Sequence, residues 1–320
     1  MIDLTQLRDL EPIVWRAPSA HNTQPWQLAY SVDMVRLSFD PTRVLTVSDP
    51  DRRDLLLSLG AFVEAMLIAA AERRVPLIFE PEIDVDRCQI GRFLLSSTLY
   101  HSDFTIVDLL ARQTSRLPYE IGPLDSAVVE ELRDGLGGAI ALHILDARDL
   151  APLMVEANRA MFGSAAIVGE LQRWLRLTGR ARLMANDGLT AQCLNLTRPE
   201  AVALNFVLGR PIHPWLCKFG LHGLLARQAA AILKSTGHVL VLSQPIGDAL
   251  DTLSAGRVLL RTWLLLARRG YFVHPLSEII DDRATCRALA SMLRLDNDHS
   301  ILSVSRVGRS VPPPRSRRLR

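Results

Sequence analysis

Two long apolar stretches of the 320-residue chain can be laid over one another without a gap. Ser58-Leu-Gly60-Ala-Phe-Val-Glu-Ala-Met-Leu-Ile-Ala-Ala-Ala-Glu-Arg-Arg74 matches Ser254-Ala-Gly256-Arg-Val-Leu-Leu-Arg-Thr-Trp-Leu-Leu-Leu-Ala-Arg-Arg-Gly270. Each has a Ser two residues before a Gly, then an apolar run, then a basic pair. Each leads into a strand-like segment that contains proline. A glycine early in a buried helix lets another backbone approach closely. The pattern predicts two related halves, each built around one core helix. The plainer alternative is that two buried helices simply share a composition.

Around these helices the chain alternates short strands with helices. Residues 4–16 place Leu4, Leu7, Leu10 and Val14 on one helical face, with Pro12 marking a kink or a restart near Glu11. Residues 26–30 and 34–39 alternate as strands about a turn at 31–33. A helix is expected at 51–74, then strands at 76–83 and 92–97. Short helices follow at 104–113 and 126–136, then a strand at 139–145 and helices at 150–162 and 168–177. Residues 180–234 are the hardest to read, apart from an apolar helix at 221–234. Beyond them come a strand at 238–243, a helix at 251–269, and strands at 271–276 and 300–307 around a helix at 282–293. The fold class expected is α+β, with mostly antiparallel sheets flanked by helices.

Composition excludes several alternatives. The 48% hydrophobic and 22% charged shares suit a globular chain, and a net charge of +3 does not imply a nucleic-acid partner. Charged residues interrupt the apolar runs, so no membrane span is expected and no membrane partner. Cys88, Cys193, Cys217 and Cys286 show neither CxxC nor zinc-ligand spacing, so no metal site is expected. They read as free thiols in a reducing compartment, and with no signal-like N-terminus the expectation is a cytoplasmic protein. There is no GxGxxG, Walker, GxSxG or HExxH motif.

The most unusual string is Arg16-Ala-Pro-Ser-Ala-His-Asn-Thr-Gln-Pro-Trp26. It joins a helix-like run to a strand and offers backbone N–H groups beside Ser19, Asn22 and Thr23, with Arg16 adjacent. Backbone donors with a guanidinium suit a phosphate or another anion. An ordinary helix–strand connection is the plainer reading. The string resembles the Ala-Pro-Ser-x-x-Asn-x-Gln-Pro-Trp segment of the FMN-dependent nitroreductase family, most closely its Acg-like single-chain subgroup.

The resemblance implies a nitroreductase-like fold of two fused, pseudo-symmetric halves, at 1–104 and 105–320. It also implies a lid or insert at about 150–234 and an Arg/Pro-rich arm at 310–320. Carried over residue by residue, it assigns the flavin-binding turn to Arg16, Pro18, Ser19, Ala20, Asn22 and Gln24. An Arg-x-Ser-x-Arg-like element falls on Arg112, Thr114 and Arg116. A basic pair falls on Arg317 and Arg318, with Arg315 left open. The segment near flavin N5 falls on Pro275, Leu276 and Ser277, Leu276 covering a ring face. The second half has no counterpart of the turn, so one FMN per chain is expected.

The implied activity is oxidation or reduction of a small organic substrate by hydride transfer through flavin N5, with NADH or NADPH as electron donor. No protein residue is assigned a catalytic role. The rivals are an FMN-sequestering protein sealed by its lid, and a cofactor-free relic. The chain is expected to be a monomer with an internal pseudo-dimer, or a homodimer.

Overall fold

The computed structural model describes residues 3–209 and 212–320. The chain divides into two compact units. Unit 1 comprises 1–112, 247–268 and 317–320, and unit 2 comprises 113–246 and 269–316.

Unit 1 opens with a 3₁₀ turn, Leu4–Leu10, that passes into the short helix α1 (Glu11–Val14). Pro12 stands in the first turn of α1, where its missing N–H costs nothing. Strands β1 (Trp26–Tyr30), β2 (Met34–Phe39), β3 (Leu77–Asp84) and β4 (Gln89–Leu95) form one sheet in the order β1-β2-β4-β3. All its pairs are antiparallel. Between β2 and β3 runs α2 (Arg53–Glu72), buried on nearly every side. Asp49 starts it by accepting the N–H groups of Asp54 and Leu55 at 3.1 and 2.9 Å. Helix α3 (Ile106–Ala111) carries a capping box, Thr105 with Asp108. Helix α11 (Ala249–Arg268) completes the unit.

By length and composition α2 is long and apolar enough to cross a bilayer, although Glu64 interrupts its apolar run. However, 89% of its most apolar window is buried inside the protein. It is a core helix, and the other core residues of unit 1 gather around it.

Unit 2 holds helices α4 (Ser126–Gly135), α5 (Ala147–Gly163), α6 (Ala165–Trp174), α7 (Arg180–Met184), α8 (Arg198–Val207), α9 (Ile212–Cys217) and α10 (Leu221–Ala230). Helices α12 (Glu278–Asp281) and α13 (Arg283–Leu293) follow later in the chain. Its sheet is built from β5 (Ala141–Asp146), β8 (His238–Pro245), β9 (Phe272–Pro275) and β10 (His299–Gly308), in the order β5-β8-β10-β9. These pairs are antiparallel too. A small parallel bridge joins β6 (Leu175–Arg176) to β7 (Leu189–Thr190). The buried pair Arg176–Asp187 fastens it at 2.6 Å.

The two four-stranded sheets therefore share one order: first, second, fourth and third strand in chain sequence. In both, a 20-residue helix separates the second strand from the third. The helix bounds fall on the register read from the sequence, Arg53 over Ala249 and Glu72 over Arg268.

Within unit 1, α2 and α11 cross at their glycines. A Cβ on Gly60 would lie 1.9 Å from the Leu253 carbonyl oxygen, and one on Gly256 would lie 2.3 Å from that of Leu57. Leu57 and Leu253 are themselves equivalent positions, so the contact is reciprocal, as at a two-fold axis. The polar contacts are not reciprocal. Glu64 is fully buried and accepts from Arg257 at 2.8 Å, Arg261 at 3.2 Å and Tyr100 at 2.6 Å. Its counterpart on α11 is Leu260.

A candidate anion site at the strained turn

The turn after α1 is anchored at both ends by aromatic packing. The Trp26 ring stacks on Phe62 of α2 with centroids 4.7 Å apart, and Trp15 meets the edges of both rings at 6.2 and 5.4 Å. Between these anchors, His21 (φ 48°), Asn22 (56°) and Gln24 (51°) adopt the left-handed region. Three such residues within four positions are costly without glycine and persist only where the surroundings enforce them.

The amides that sequence reasoning placed outward are used inside the turn. Asn22 N–H donates to the Ser19 carbonyl and Thr23 N–H to that of Ala20, both at 3.0 Å. Gln24 N–H donates to Ser19 Oγ at 3.0 Å. The side chains of Asn22 and Gln24 hold the C-terminal arm. Asn22 Nδ2 donates to the Arg317 carbonyl at 3.2 Å, and Arg318 Nη1 donates to Asn22 Oδ1 at 2.5 Å. Leu319 N–H donates to Gln24 Oε1 at 2.9 Å. Arg320 pairs with Glu11 at 3.0 Å. The basic end of the chain is thus fixed to the turn, with the Arg318 side chain and the Arg317 carbonyl both joined to Asn22.

Arg112 also belongs to unit 1. It is 5% exposed, and its Nη2 donates to the Arg16 carbonyl at 2.8 Å. Its guanidinium lies over the Trp263 ring, 5.8 Å from the centroid. Its Nη1 is buried with no hydrogen-bond partner. Among the described residues no carboxylate pairs with it. Burial, with Arg16 adding like-charge repulsion, pulls its pKa down to about 10. It therefore stays charged at neutral pH. A buried, charged group without an acid is costly.

The remaining candidates lie in unit 2. Thr114 bridges to Val273 beside β9. Arg116 is half-buried and its Nη1 donates to the Cys193 carbonyl at 3.4 Å. Burial lowers its pKa, against the opposing charges of Cys193, Glu278 and Tyr119. Pro275 pairs with Ser305 in the sheet, and the Ser277 carbonyl accepts from Ile280 and Asp281. Leu276 is fully buried in the unit 2 core, and its N–H donates to the Val304 carbonyl at 2.8 Å. Neither its side chain nor its amide faces outward here.

Sequence reasoning missed Arg306, on the strand β10. It is fully buried, donates to His274 Nδ1 at 3.0 Å and to the Ser115 and Leu117 carbonyls at 3.1 and 3.0 Å, and stacks 4.0 Å above the Tyr119 ring. Burial followed by the charges of Arg116 and Arg306 holds His274 well below the usual imidazole pKa, so it is neutral and accepts through Nδ1. Alternation along β10 gave no sign that an arginine would point inward.

No protein-family model matches the chain. By sequence it is similar to NAD(P)H nitroreductases. It is 24% identical over 300 residues to a Serratia sp. (strain ATCC 39006) protein named "Probable NAD(P)H nitroreductase PigM", covering 87% of this chain and 82% of that one. It is 26% identical over 167 residues to acg of Mycobacterium tuberculosis (strain ATCC 25618 / H37Rv), also named for NAD(P)H nitroreductase, covering 50% of this chain and 49% of acg. The match thus spans about half the length of acg. Among solved structures, the FMN and NADPH-dependent nitroreductase NfnB from Sphigopyxis sp. strain HMH is 16% identical, with a TM-score of 0.35. That comparison covers 65% of this chain and 93% of NfnB.

Proposed function

We propose that the chain is an FMN-dependent oxidoreductase of the nitroreductase type, acting on a small organic molecule with NADH or NADPH as electron donor. The observation that carries this reading is Arg112, a buried guanidinium with an orphan Nη1, no carboxylate and a second arginine, Arg16, beside it. A phosphate monoester carries about −1.5 to −2 charges at neutral pH and accepts through three oxygens, which supplies both the charge and the acceptors that are lacking. Bound FMN would supply hydride chemistry at its N5. The protein's part is placement: Arg112 is fixed by the Arg16 carbonyl, and Arg318 by Asn22. The names of the similar nitroreductases support the same reading.

We also infer that the chain arose by internal duplication. The shared strand order, the matched 20-residue helices and the reciprocal contact of Gly60 and Gly256 support it. The turn has no counterpart in the second half, which supports one flavin per chain.

A second reading, flavin storage without turnover, is favoured by one feature. Residues 147–237 form a large insertion between β5 and β8, and Arg116 donates into it at the Cys193 carbonyl. The purified protein, loaded with FMN, should bleach under NADH or NADPH without oxygen and recover its colour with a nitroaromatic acceptor. A bound flavin that bleaches with dithionite but with neither nucleotide would establish storage instead. Failure to bind FMN at all would end both readings.

A further inference from the structure

Unit 2 carries an apolar surface that the flavin reading does not use. The protein has 18 aromatic residues, and the exposed ones among those described are Phe206, Trp215 and Phe219. They are 60%, 59% and 73% exposed and fall within 14 positions of one another in the chain. Trp215 and Phe219 touch, with ring centroids 4.8 Å apart. Val202 stands one helical turn before Phe206 on α8, and Leu224 on α10 is also exposed. Helix α9 packs against both α8 and α10. The other rings among the described residues are buried or half-buried, so an exposed cluster of them signals a binding surface.

The chain segment that carries the cluster is one-sided in charge, and acids from other elements, Glu156 and Asp282, line a separate cavity with Cys217 and His222. From 188 to 247 the sequence has a single acid, Glu200. The same stretch holds both lysines of the protein, Lys218 and Lys234, together with Arg198 and Arg227, and all four are exposed. Lys218 lies between the two touching rings in sequence.

We propose that the α8–α10 face is a peripheral docking surface for an anionic lipid bilayer. Apolar and aromatic side chains enter the boundary between headgroups and acyl chains, and flanking lysine and arginine residues meet the lipid charge. The face lies on the bilayer and spans nothing. A second copy of the chain fits less well, because a two-fold contact would set these cations against their own copies. Single-stranded nucleic acid would use the rings and the cations and leave the aliphatic side chains of Val202 and Leu224 without a role.

Trp215 makes the test direct, because the other four tryptophans, Trp15, Trp26, Trp174 and Trp263, are buried. The full-length protein is mixed with vesicles of phosphatidylcholine alone, or of phosphatidylcholine with phosphatidylglycerol, and partition is read by flotation and tryptophan emission. The expected result is binding to the anionic vesicles that weakens with added salt, with a blue shift in emission that Trp215→Phe abolishes while flotation persists. Trp215→Ser with Phe219→Ser should cut partition by about tenfold or more, and Lys218→Glu should cut it severalfold. These side chains are exposed, so the variants should keep the wild-type circular dichroism. Four results would overturn the proposal: no binding to anionic vesicles, binding indifferent to these substitutions, a concentration-dependent dimer that Phe219→Ser dissociates, or capture of single-stranded RNA without vesicle binding. None of these readouts depends on flavin, so they stand or fall apart from the proposed activity.

Discussion

The two long helices α2 and α11 follow the same pattern and carry different loads. Both are 20 residues long, both lie between the second and third strand of a sheet, and both bring a glycine to their crossing. Yet α2 buries a lone acid, Glu64, and α11 answers with Arg257 and Arg261. At the positions equivalent to those arginines α2 has Ala61 and Ala65. The connections differ more. In unit 1 the turn at 31–33 joins the first two strands, whereas in unit 2 residues 147–237 separate them. On the proposed duplication, backbone geometry that both halves need would be kept in both, while charge and loops, which each half can vary alone, would differ. The strained turn carrying Arg16 and Asn22 is another one-sided feature.

The largest expected effect is at the shared element. Gly60→Ala and Gly256→Ala each drive a Cβ into a carbonyl of the facing helix, and each should destabilise by about 3 kcal/mol or more in denaturant unfolding. Reciprocity requires similar losses; a tolerated alanine at one site alone would break the two-fold description.

Next comes the divergent charge. Glu64→Leu copies the α11 residue but leaves Arg257 and Arg261 without their acid. A loss of about 2–3 kcal/mol is expected, less than for a fully buried pair because both arginines are about one-third exposed. Adding Arg257→Ala and Arg261→Ala completes the symmetric pair and should recover much of that loss. A triple variant less stable than the single one would show that the charges are needed for more than neutralising one another.

A smaller effect belongs to Asp108, which caps α3 and pairs with Arg268 at 2.6 Å. Burial raises its pKa, but the bonds from Arg268 and Thr105 outweigh that and hold it below the ordinary 3.8. The folded-state pKa is depressed, so the stabilisation is present above 3.8 and is lost as pH falls through the lower folded value. Asp108→Asn should flatten that acid limb of a stability–pH curve. An unchanged limb would assign it to other carboxylates.

Much of this was legible in the sequence, and the exceptions share a cause. The bounds of β1 and β2 and the register of the two helices came from periodicity and patterning, which are local. Thr197 and Glu200 also announce α8 as a capping box, a local signal passed over in a stretch that read as irregular. What stayed hidden depends on partners distant in the chain. The arm at 317–320 is ordered because Asn22, Gln24 and Glu11 hold it. Leu276 is buried in the unit 2 core, and a core leucine and one that covers a ring look alike in sequence. Arg112 and Arg116, four residues apart, fall in different units.

The central claim is that Arg112 is kept buried and without an acid for the sake of a phosphate, and Arg112→Gln tests it most directly. FMN and riboflavin differ by that phosphate, and titration of both against the wild type and the variant isolates it. A charge-assisted bond contributes on the order of 1.5–3 kcal/mol, so FMN affinity should fall roughly tenfold to a hundredfold while riboflavin affinity scarcely changes. The variant without ligand should be as stable as the wild type or more so, because an uncompensated buried charge is removed. Equal losses for the two flavins, or a variant that unfolds, would make Arg112 a structural residue and contradict the account.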